Sequence, residues 1–334
     1  IVVTGGCGFV GAHQVVAFLG AGHRVCIVDD LSNSSIDVID NIREISGDDC
    51  RFEEFNVLDT ARLEQTMIEF EAEAVIHLAG LKHVWESTKR PVEYFHTNLG
   101  GIGSVLAACK ASGVRKLIFS SSGSIYGSTD QLPIVESQRP APTNPYSVSK
   151  SMCETMLEDV CRYESDWSIT ALRYFNPAGA HPSGLIGENP IGQPSNLLPA
   201  LVRSATTANP VAVVHGDDFD TVDGSGVRDY VHVMDVAESH IRALEAMQRG
   251  SSDVALNIGR GEGVSVYQMI EAVERAAQRE FEIVVGPPRP GDVAALYGDT
   301  TKSTSVLGPI DYRSLEEICD DAWRWQSKHE AARS

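Results

Sequence analysis

Residues 1–13 read IVVTGGCGFVGAH, and the order of residue types in this stretch decides the fold. Ile1 to Thr4 are apolar or β-branched, a short continuous run of the kind found in strands buried on both faces. Gly5, Gly6, Gly8 and Gly11 follow, interleaved with Phe9 and Val10, which open a longer apolar stretch of helical length. Glycines between a strand and a helix let the backbone approach a pyrophosphate, whose charge is favoured by the first N–H groups of the helix and by its dipole. Glycines alone could serve a merely tight turn. The strand before them and the helix after them are the context that a dinucleotide-binding turn requires.

Working outward, the next apolar run is RVCIVDD, which ends in Asp29 and Asp30. An acid about 20 residues beyond the turn takes the adenosine ribose hydroxyls of a dinucleotide. A carboxylate there repels a 2′-phosphate and no arginine follows it, so NAD is expected over NADP. RFEEFNV, AVIHLAG, KLIFSSS and ITALRYF read as further strands. Between the runs lie helical stretches at 9–21, 60–70, about 91–111 and about 146–164. This alternation predicts an α/β fold, a Rossmann-type doubly wound parallel sheet.

The rhythm breaks after Phe175. NPAGAHPSGLIGENPIGQPSN reads as a long structured loop, followed by short strands in VAVVHG, RDYVHV and FEIVVGP. Asp235 with Glu238, and Ser265 with Gln268, fit the capping-box pattern of a helix start. The expected organisation is an NAD-binding domain over 1–175 and a smaller substrate-binding lobe over 176–334. Some segments of the second part are expected to return to the first.

Among the 334 residues, 43% are hydrophobic and 22% charged, with a formal net charge of −19. Such a surface disfavours nucleic acid, and it leaves an anionic ligand to local helix N-termini and single basic side chains. No apolar run is long enough to span a bilayer, so no membrane partner is expected. The seven cysteines show no CxxC pair. Without a leader ahead of IVVTGG, they point to reduced thiols in a cytoplasm. The histidines lack zinc spacing, and no metal is expected.

Two further stretches carry chemistry. IFSSSGSIYG places Ser120, Ser121 and Ser122 at the carboxyl end of a strand, where such sheets bind ligands. NPYSVSK puts Tyr146 and Lys150 one helical turn apart on one face. Serines at a strand end are often only turn formers, and a Tyr–Lys pair is often only helix surface. Together with a dinucleotide turn they form a set. A tyrosine with a pKa of about 10 is a poor base. A nearby lysine and a cationic nicotinamide ring favour its phenolate, and a strand-end serine can hold the same substrate oxygen.

From VTGGCGFVGAH through AGLKHV, SSSGSIYG, NPYSVSK, RYFNPAGAHPSG, SNLLP, GVRDYVHVMD, RPGD and WRWQ, the chain resembles the extended short-chain dehydrogenase/reductases. Within them it is similar to the UDP-glucose 4-epimerase family over nearly its whole length. The resemblance implies interconversion of UDP-glucose and UDP-galactose, with bound NAD accepting and returning a hydride through a 4-keto sugar. It makes Tyr146 the base, Lys150 its partner and Ser122 the helper. Around NAD it implies Gly5, Gly8, Phe9, Val10 and Gly11 at the pyrophosphate, Asp29 and Asn33 at the adenosine, and Asn56 and Val57 near the adenine. Leu78, Ala79, Gly80, Lys82, Asn98 and Tyr174 complete that side. For the UDP-sugar it implies Lys82, Ser122, Ser124 and Tyr146, with Asn176, Asn196 and Leu197. It also implies Val213 and His215 by the base, Arg228 and Arg289 by the diphosphate, and Asp292 at the uridine ribose. Two guanidinium groups suit a diphosphate on chemical grounds as well.

Some positions depart from the family pattern. Asn56 stands where an Asp is usual, Trp85 where Gly is common, and His215 where an aromatic often lies. Leu296 occupies the position where Tyr goes with narrow and a small residue with broad sugar range. It implies strong preference for UDP-glucose and UDP-galactose, with weak leakage to UDP-N-acetylglucosamine. Related dehydratases and decarboxylases place acids directly after the strand-end hydroxyl, whereas here Ser122 precedes Gly123, Ser124, Ile125 and Tyr126. A non-enzymatic NAD-binding regulator would be expected to lack Tyr146 or Lys150. By analogy with the family, the helices near 91–111 and 146–164 imply a homodimer.

Overall fold

The computed structural model describes residues 1–251, 255–289 and 292–331. Its first half alternates strand with helix, with two helices in one crossover. In order come β1 (Val2–Thr4), α1 (Phe9–Gly20), β2 (Cys26–Asp29), α2 (Asp37–Ser46), β3 (Arg51–Glu54), α3 (Thr60–Phe70) and β4 (Val75–His77). There follow α4 (Val84–Lys89), α5 (Pro91–Ser112), β5 (Lys116–Ser122), a 3-10 turn (Gly123–Tyr126), α6 (Pro145–Tyr163) and β6 (Ser168–Tyr174). The second half holds β7 (Asn176–Ala178), α7 (Leu197–Ala205), β8 (Val211–His215), β9 (Val227–Arg228), β10 (Tyr230–His232), α8 (Val233–Gln248) and β11 (Ala255–Ile258). Last come β12 (Val264–Ser265), α9 (Val266–Ala277), β13 (Glu282–Gly286), β14 (Ala295–Leu296), α10 (Thr301–Leu307) and α11 (Leu315–Ala331).

Seven of these strands form one sheet in the order β11-β6-β5-β4-β1-β2-β3, all parallel. From β1 the chain first builds outward through β2 and β3, then crosses back to β4 on the other side. That reversal opens a crevice at the carboxyl ends of β1 and β4, the place where open α/β sheets bind ligands. The six runs read as strands before Phe175 are β1 to β6 of this sheet, and VAVVHG, RDYVHV and FEIVVGP supply β8, the end of β9 with β10, and β13 outside it. β1 and β4 are buried at every residue, as apolar runs covered on both faces should be. The seventh strand, β11, comes from far along the chain and pairs with β6 in register Leu256↔Leu172.

Two apolar cores cover the two faces. On one, Val15, Phe18 and Leu19 of α1 pack with Ile39 and Ile42 of α2 and Val236 and Leu244 of α8. On the other, Leu63 and Met67 of α3 pack with Ile102 and Val105 of α5 and Cys153 and Leu157 of α6. A third core, with Leu201, Val214, Met269, Val273 and Ile318, belongs to the smaller lobe built of α7, α9, α11 and β8. Ile125, Tyr126, Ile134, Phe175 and Leu296 form a small cluster between the sheet's carboxyl edge and that lobe.

The local signals differ in how they fare. Ser265 and Gln268 make a reciprocal capping box at the start of α9. Asp235 and Glu238 do not: α8 is capped by His232, whose side chain accepts from the Met234 N–H. Asp235 lies inside the first turn, buried, with its carboxylate bonded to Arg313. A distant cation thus takes the side chain that the local pattern assigns to the cap. Helices α2 and α4 are absent from the sequence reading. In α2 only Ile39 and Ile42 are buried, too narrow a stripe to stand out. The loop after Phe175 begins as β7, parallel to β10 with Asn176↔Tyr230.

Candidate active site

The glycine turn is shaped by close packing. Gly5 has φ +73° and donates to the Val28 carbonyl at 2.8 Å; a Cβ there would stand 2.7 Å from the Ala79 nitrogen. A Cβ at Gly11 would fall 2.0 Å from the Gly5 carbonyl oxygen, so α1 can seat on the turn only with glycine at that point. Gly8, at the N-cap of α1, differs. Its φ of −72° is ordinary and the nearest atom to a Cβ is 3.4 Å away. Gly8, Phe9 and Val10 are all partly exposed, as the lining of a pyrophosphate cradle must be.

Asp29 sits at the end of β2 and is largely consumed locally. Its Oδ2 accepts from the Cys7 N–H at 2.9 Å, and its Oδ1 from the Leu31 N–H at 2.9 Å and the Ser34 hydroxyl at 3.1 Å. Burial raises its pKa, and those hydrogen bonds oppose the rise. It ties the glycine turn to the end of β2, and a carboxylate oxygen with one donor keeps capacity for a ribose hydroxyl. Asn33 lies exposed on the following turn. Asn56 donates to Asp30 at 2.7 Å while its carbonyl accepts from the Leu58 N–H at 3.0 Å, beside the buried Val57. Leu78, Ala79 and Gly80 follow β4 and lean on the turn, Leu78 donating to the Thr4 carbonyl at 3.0 Å. Asn98 acts on the backbone: its Oδ1 accepts from the Leu81 N–H at 2.9 Å, and its amide donates to the Leu81 carbonyl and to Ser149.

Helix α6 carries the Tyr–Lys pair. Asn144 caps it reciprocally with Ser147 and Pro145 fills the first position, so the sequence NPYS places Tyr146 in the first turn, at the sheet's carboxyl edge. Lys150 is 6% exposed; its Nζ donates to the Ser120 carbonyl at 2.7 Å and lies 4.8 Å from the Phe119 ring centre. Burial lowers its pKa to about 8, opposed by Cys153 and Glu154. Burial raises Tyr146, and a hydrogen bond with Ser122 pulls it back. The Ser122 hydroxyl also bonds the Ser124 hydroxyl at 2.9 Å. Tyr174 ends β6 opposite Ser122 and donates to His240 Nε2 at 2.7 Å. The other His240 nitrogen faces the Val236 carbonyl at 2.8 Å, which must accept, so Nε2 is the bare one.

The smaller lobe closes the crevice. Lys82 reaches Glu188 at 3.1 Å, and Glu188 also accepts from Asn196 at 2.9 Å, just before Leu197 opens α7. Asn176 begins β7, its N–H on the Asp229 carbonyl at 3.0 Å. Val213 and His215 share one face of β8, with Val213 exposed. Arg289 bonds Asp292 at 3.2 Å; Pro290 and Gly291 of the RPGD stretch lie outside the described residues. Burial pulls Arg228 below the usual guanidinium range, Tyr230 and Asp292 oppose this, and Arg289 adds to it. Two guanidinium groups close enough to repel are ready for an anion. Leu296 packs in the cluster with Ile125, Tyr126, Ile134 and Phe175, and pairs with Arg228 across β14 and β9.

Several participants escaped the sequence reading. Glu154 is one: it lies one turn beyond Lys150 on the buried face of α6, a spacing that marks it. Arg173 is another, a cation inside the apolar run of β6, where a charge is rare unless paired. Glu188, in a loop without periodicity, left no such signal.

The sequence model of the NAD dependent epimerase/dehydratase family matches residues 1–259. The chain is 43% identical over 329 residues to a UDP-glucose 4-epimerase of Bacillus subtilis, covering 98% of this chain and 97% of that protein. A UDP-glucose 4-epimerase from Stenotrophomonas maltophila, solved with bound NAD and formylated UDP-arabinopyranose, superposes with TM-score 0.97. It is 40% identical and covers 99% of this chain and 98% of its own. The Bifidobacterium longum UDP-glucose 4-epimerase, in complex with NAD+ and UDP, gives TM-score 0.94 at 39% identity over 98% of both chains. A glycine turn on β1, a Ser–Tyr–Lys set at the carboxyl edge and likeness over the whole length agree: the chain belongs to the NAD-dependent epimerase/dehydratase family.

Proposed function

We propose that this chain interconverts UDP-glucose and UDP-galactose by inverting the configuration at C4 of the sugar, with NAD as a resident cofactor. The observation that supports the reading is the hydrogen bond of Tyr146 to Ser122, with the Lys150 ammonium on the neighbouring Ser120 carbonyl, at the carboxyl end of β5 in the sheet that the glycine turn opens. NAD suits the residues present: Gly8 leaves room for a pyrophosphate, and Asp29 offers an acceptor where a 2′-phosphate would be repelled. When bound, it supplies reversible two-electron chemistry at C4.

The remaining chemistry belongs to the chain. Tyr146 Oη accepts the C4 hydroxyl proton and gives it back on the other face, while Ser122 Oγ holds the same oxygen. Lys150, with its ammonium on the Ser120 carbonyl, keeps positive charge near the phenol and reaches the nicotinamide ribose. Phe9, Val10, Asn33, Asn56, Val57, Leu78, Ala79, Gly80, Asn98 and Tyr174 shape the cofactor side. Arg228 and Arg289 hold the diphosphate, and Asp292, Val213 and His215 receive the uridine. Lys82, Ser124, Asn176, Asn196, Leu197 and Leu296 border the sugar. The carboxylate of Glu154 is held by Arg173 and Ser121, so it is not free to serve the elimination that a dehydratase needs. Residues 1–175 form the NAD-binding domain and 176–334 mainly the nucleotide-sugar lobe, with β11 serving the first.

The protein works as a cytoplasmic homodimer in this reading. Val92 on α5 and Met152 and Tyr163 on α6 are exposed apolar side chains on two helices that pack together, a surface suited to a second copy. No helix among the described residues is long and apolar enough to cross a membrane. The test of the activity is to incubate purified protein with UDP-galactose, without added cofactor, and to look for UDP-glucose. Absence of conversion in protein that releases NAD on denaturation would sink the reading.

A further inference from the structure

Directly beneath the reacting groups runs a buried polar chain that proton transfer does not use. Glu154 on α6 is 3% exposed and Arg173 on β6 is 4% exposed. Arg173 Nη2 donates to Oε2 of Glu154 at 2.6 Å, and its Nε lies 3.0 and 3.2 Å from the two oxygens. Oε1 also accepts from the Ser121 hydroxyl. Arg173 Nη1 donates to Tyr126 Oη at 2.7 Å, and Tyr126 in turn donates to Asn257 Oδ1 at 2.7 Å. The Asn257 amide donates to the carbonyls of Ile134 at 2.8 Å and Asp299 at 3.3 Å. A buried ion pair gives little net stability over an apolar pair of the same volume, so its place in the site asks for another account.

The account lies in the strand. Ser121 stands between Ser120, whose carbonyl takes the Lys150 ammonium at 2.7 Å, and Ser122, whose hydroxyl faces Tyr146. Side chains alternate along a strand, so Glu154 grips β5 from the side opposite to the Ser120 and Ser122 side chains. Arg173 is the register partner of Ser121 on β6. One carboxylate therefore fixes the helix that carries Tyr146 and Lys150, the strand that carries Ser122, and the neighbouring strand. Through Tyr126 and Asn257 the same chain reaches the segment that follows Leu296.

We propose that Glu154 is a positioning residue for the reaction, holding the Ser120 carbonyl and the Ser122 hydroxyl in register with Lys150 and Tyr146 through its bonds to Ser121 and Arg173. The inference rests on the reading of Ser122, Tyr146 and Lys150 as the reacting groups. A displacement of about 1 Å in such a set costs on the order of 100-fold in rate.

Wild type, Ser121→Ala, Glu154→Gln and Tyr146→Phe are compared for turnover and KM with UDP-galactose, bound NAD per chain, and melting temperature. Ser121→Ala leaves the ion pair intact and cuts only its link to the strand. It should stay folded with a full complement of NAD, lose about tenfold in kcat, and keep KM within about threefold, since Ser121 touches no substrate. Glu154→Gln should lose about 100-fold in kcat with the same split; if it does not fold, Ser121→Ala decides alone. Wild-type kcat in Ser121→Ala, or a loss confined to KM, overturns the proposal and leaves Glu154 a structural ion pair. Tyr146→Phe separates the two levels: near-normal turnover in it would overturn the reading of the reacting groups themselves.

Discussion

The glycine turn offers a substitution that separates folding from cofactor binding. Gly8→Ala adds a methyl at φ −72°, ψ 172°, where any residue is comfortable and the nearest atom, the Gly5 oxygen, is 3.4 Å away. Reduced chain freedom in the unfolded state should stabilise by about 0.4–1 kcal/mol. Alanine is a poorer helix N-cap than glycine by a comparable amount. The two effects nearly cancel. With an unfolding entropy of roughly 2.1 cal/mol/K per residue, a residual of about 0.5 kcal/mol moves the midpoint of a chain this long by about 1 °C or less. In the proposed reading the added methyl lies in the approach path of the pyrophosphate. Overpacking of about 1–3 kcal/mol translates to a cofactor bound about 5- to 150-fold more weakly. Both proteins are stripped of NAD, melted as apoprotein, and titrated with NAD by calorimetry. The expected result is unchanged melting with weakened binding. Gly11→Ala, whose Cβ would meet the Gly5 oxygen at 2.0 Å, should instead lose stability and binding together. A Gly8→Ala dissociation constant within twofold of wild type would refute the assignment of that space to the cofactor.

Tyr146→Phe should keep fold and NAD yet lose about 100- to 10,000-fold in turnover, and near-normal activity would reassign the base. Lys150 is pulled down to about 8 by burial, and its ammonium form is the one that supports a phenolate. The holoenzyme's kcat should therefore hold through neutrality and fall above about pH 8; a plateau to pH 10 would show that the lysine's charge is not needed. Leu296→Cys should raise and Leu296→Tyr abolish activity on UDP-N-acetylglucosamine, because an acetamido arm needs room and an unpaired buried amide costs about 1–3 kcal/mol. If neither changes that activity, Leu296 does not set the sugar range. Burial raises Asp229 to about 6, against the N–H groups of Arg260, Gly261 and Gly298. Since this exceeds the unfolded value, its contribution is present at low pH and lost as pH rises through about 6. Denaturant unfolding of Asp229→Asn should show a deficit against wild type that grows from pH 7 to pH 5, and a constant deficit would contradict the linkage.

Much of this protein could be read without coordinates because the controlling interactions are local. A strand covered on both faces is mostly apolar and β-branched, so β1, β4 and β6 announce themselves even with Arg173 inside β6. A helix entered through Asn144, Pro145 and Ser147 satisfies its own first N–H groups within four residues, and this fixes Tyr146 and Lys150 at the sheet edge. The glycine turn likewise follows from chain geometry, since Gly5 needs positive φ and Gly11 admits no Cβ.

What the sequence could not settle is which distant groups meet. Nothing near Asp235 says that Arg313, 78 residues on, will take its carboxylate from the helix cap. Nothing in ALNI says that it completes a sheet begun at residue 2, because short apolar runs look alike until one edge of a sheet is left to be covered. The partners of Glu154 arrive from two strands, and those of Lys82 and Asn196 from a loop of glycines and prolines. Burial of charge is a property of the assembled volume: the tertiary structure lowered Lys150 and raised Tyr146 and Asp229, and the cause is water excluded by elements far apart in the chain.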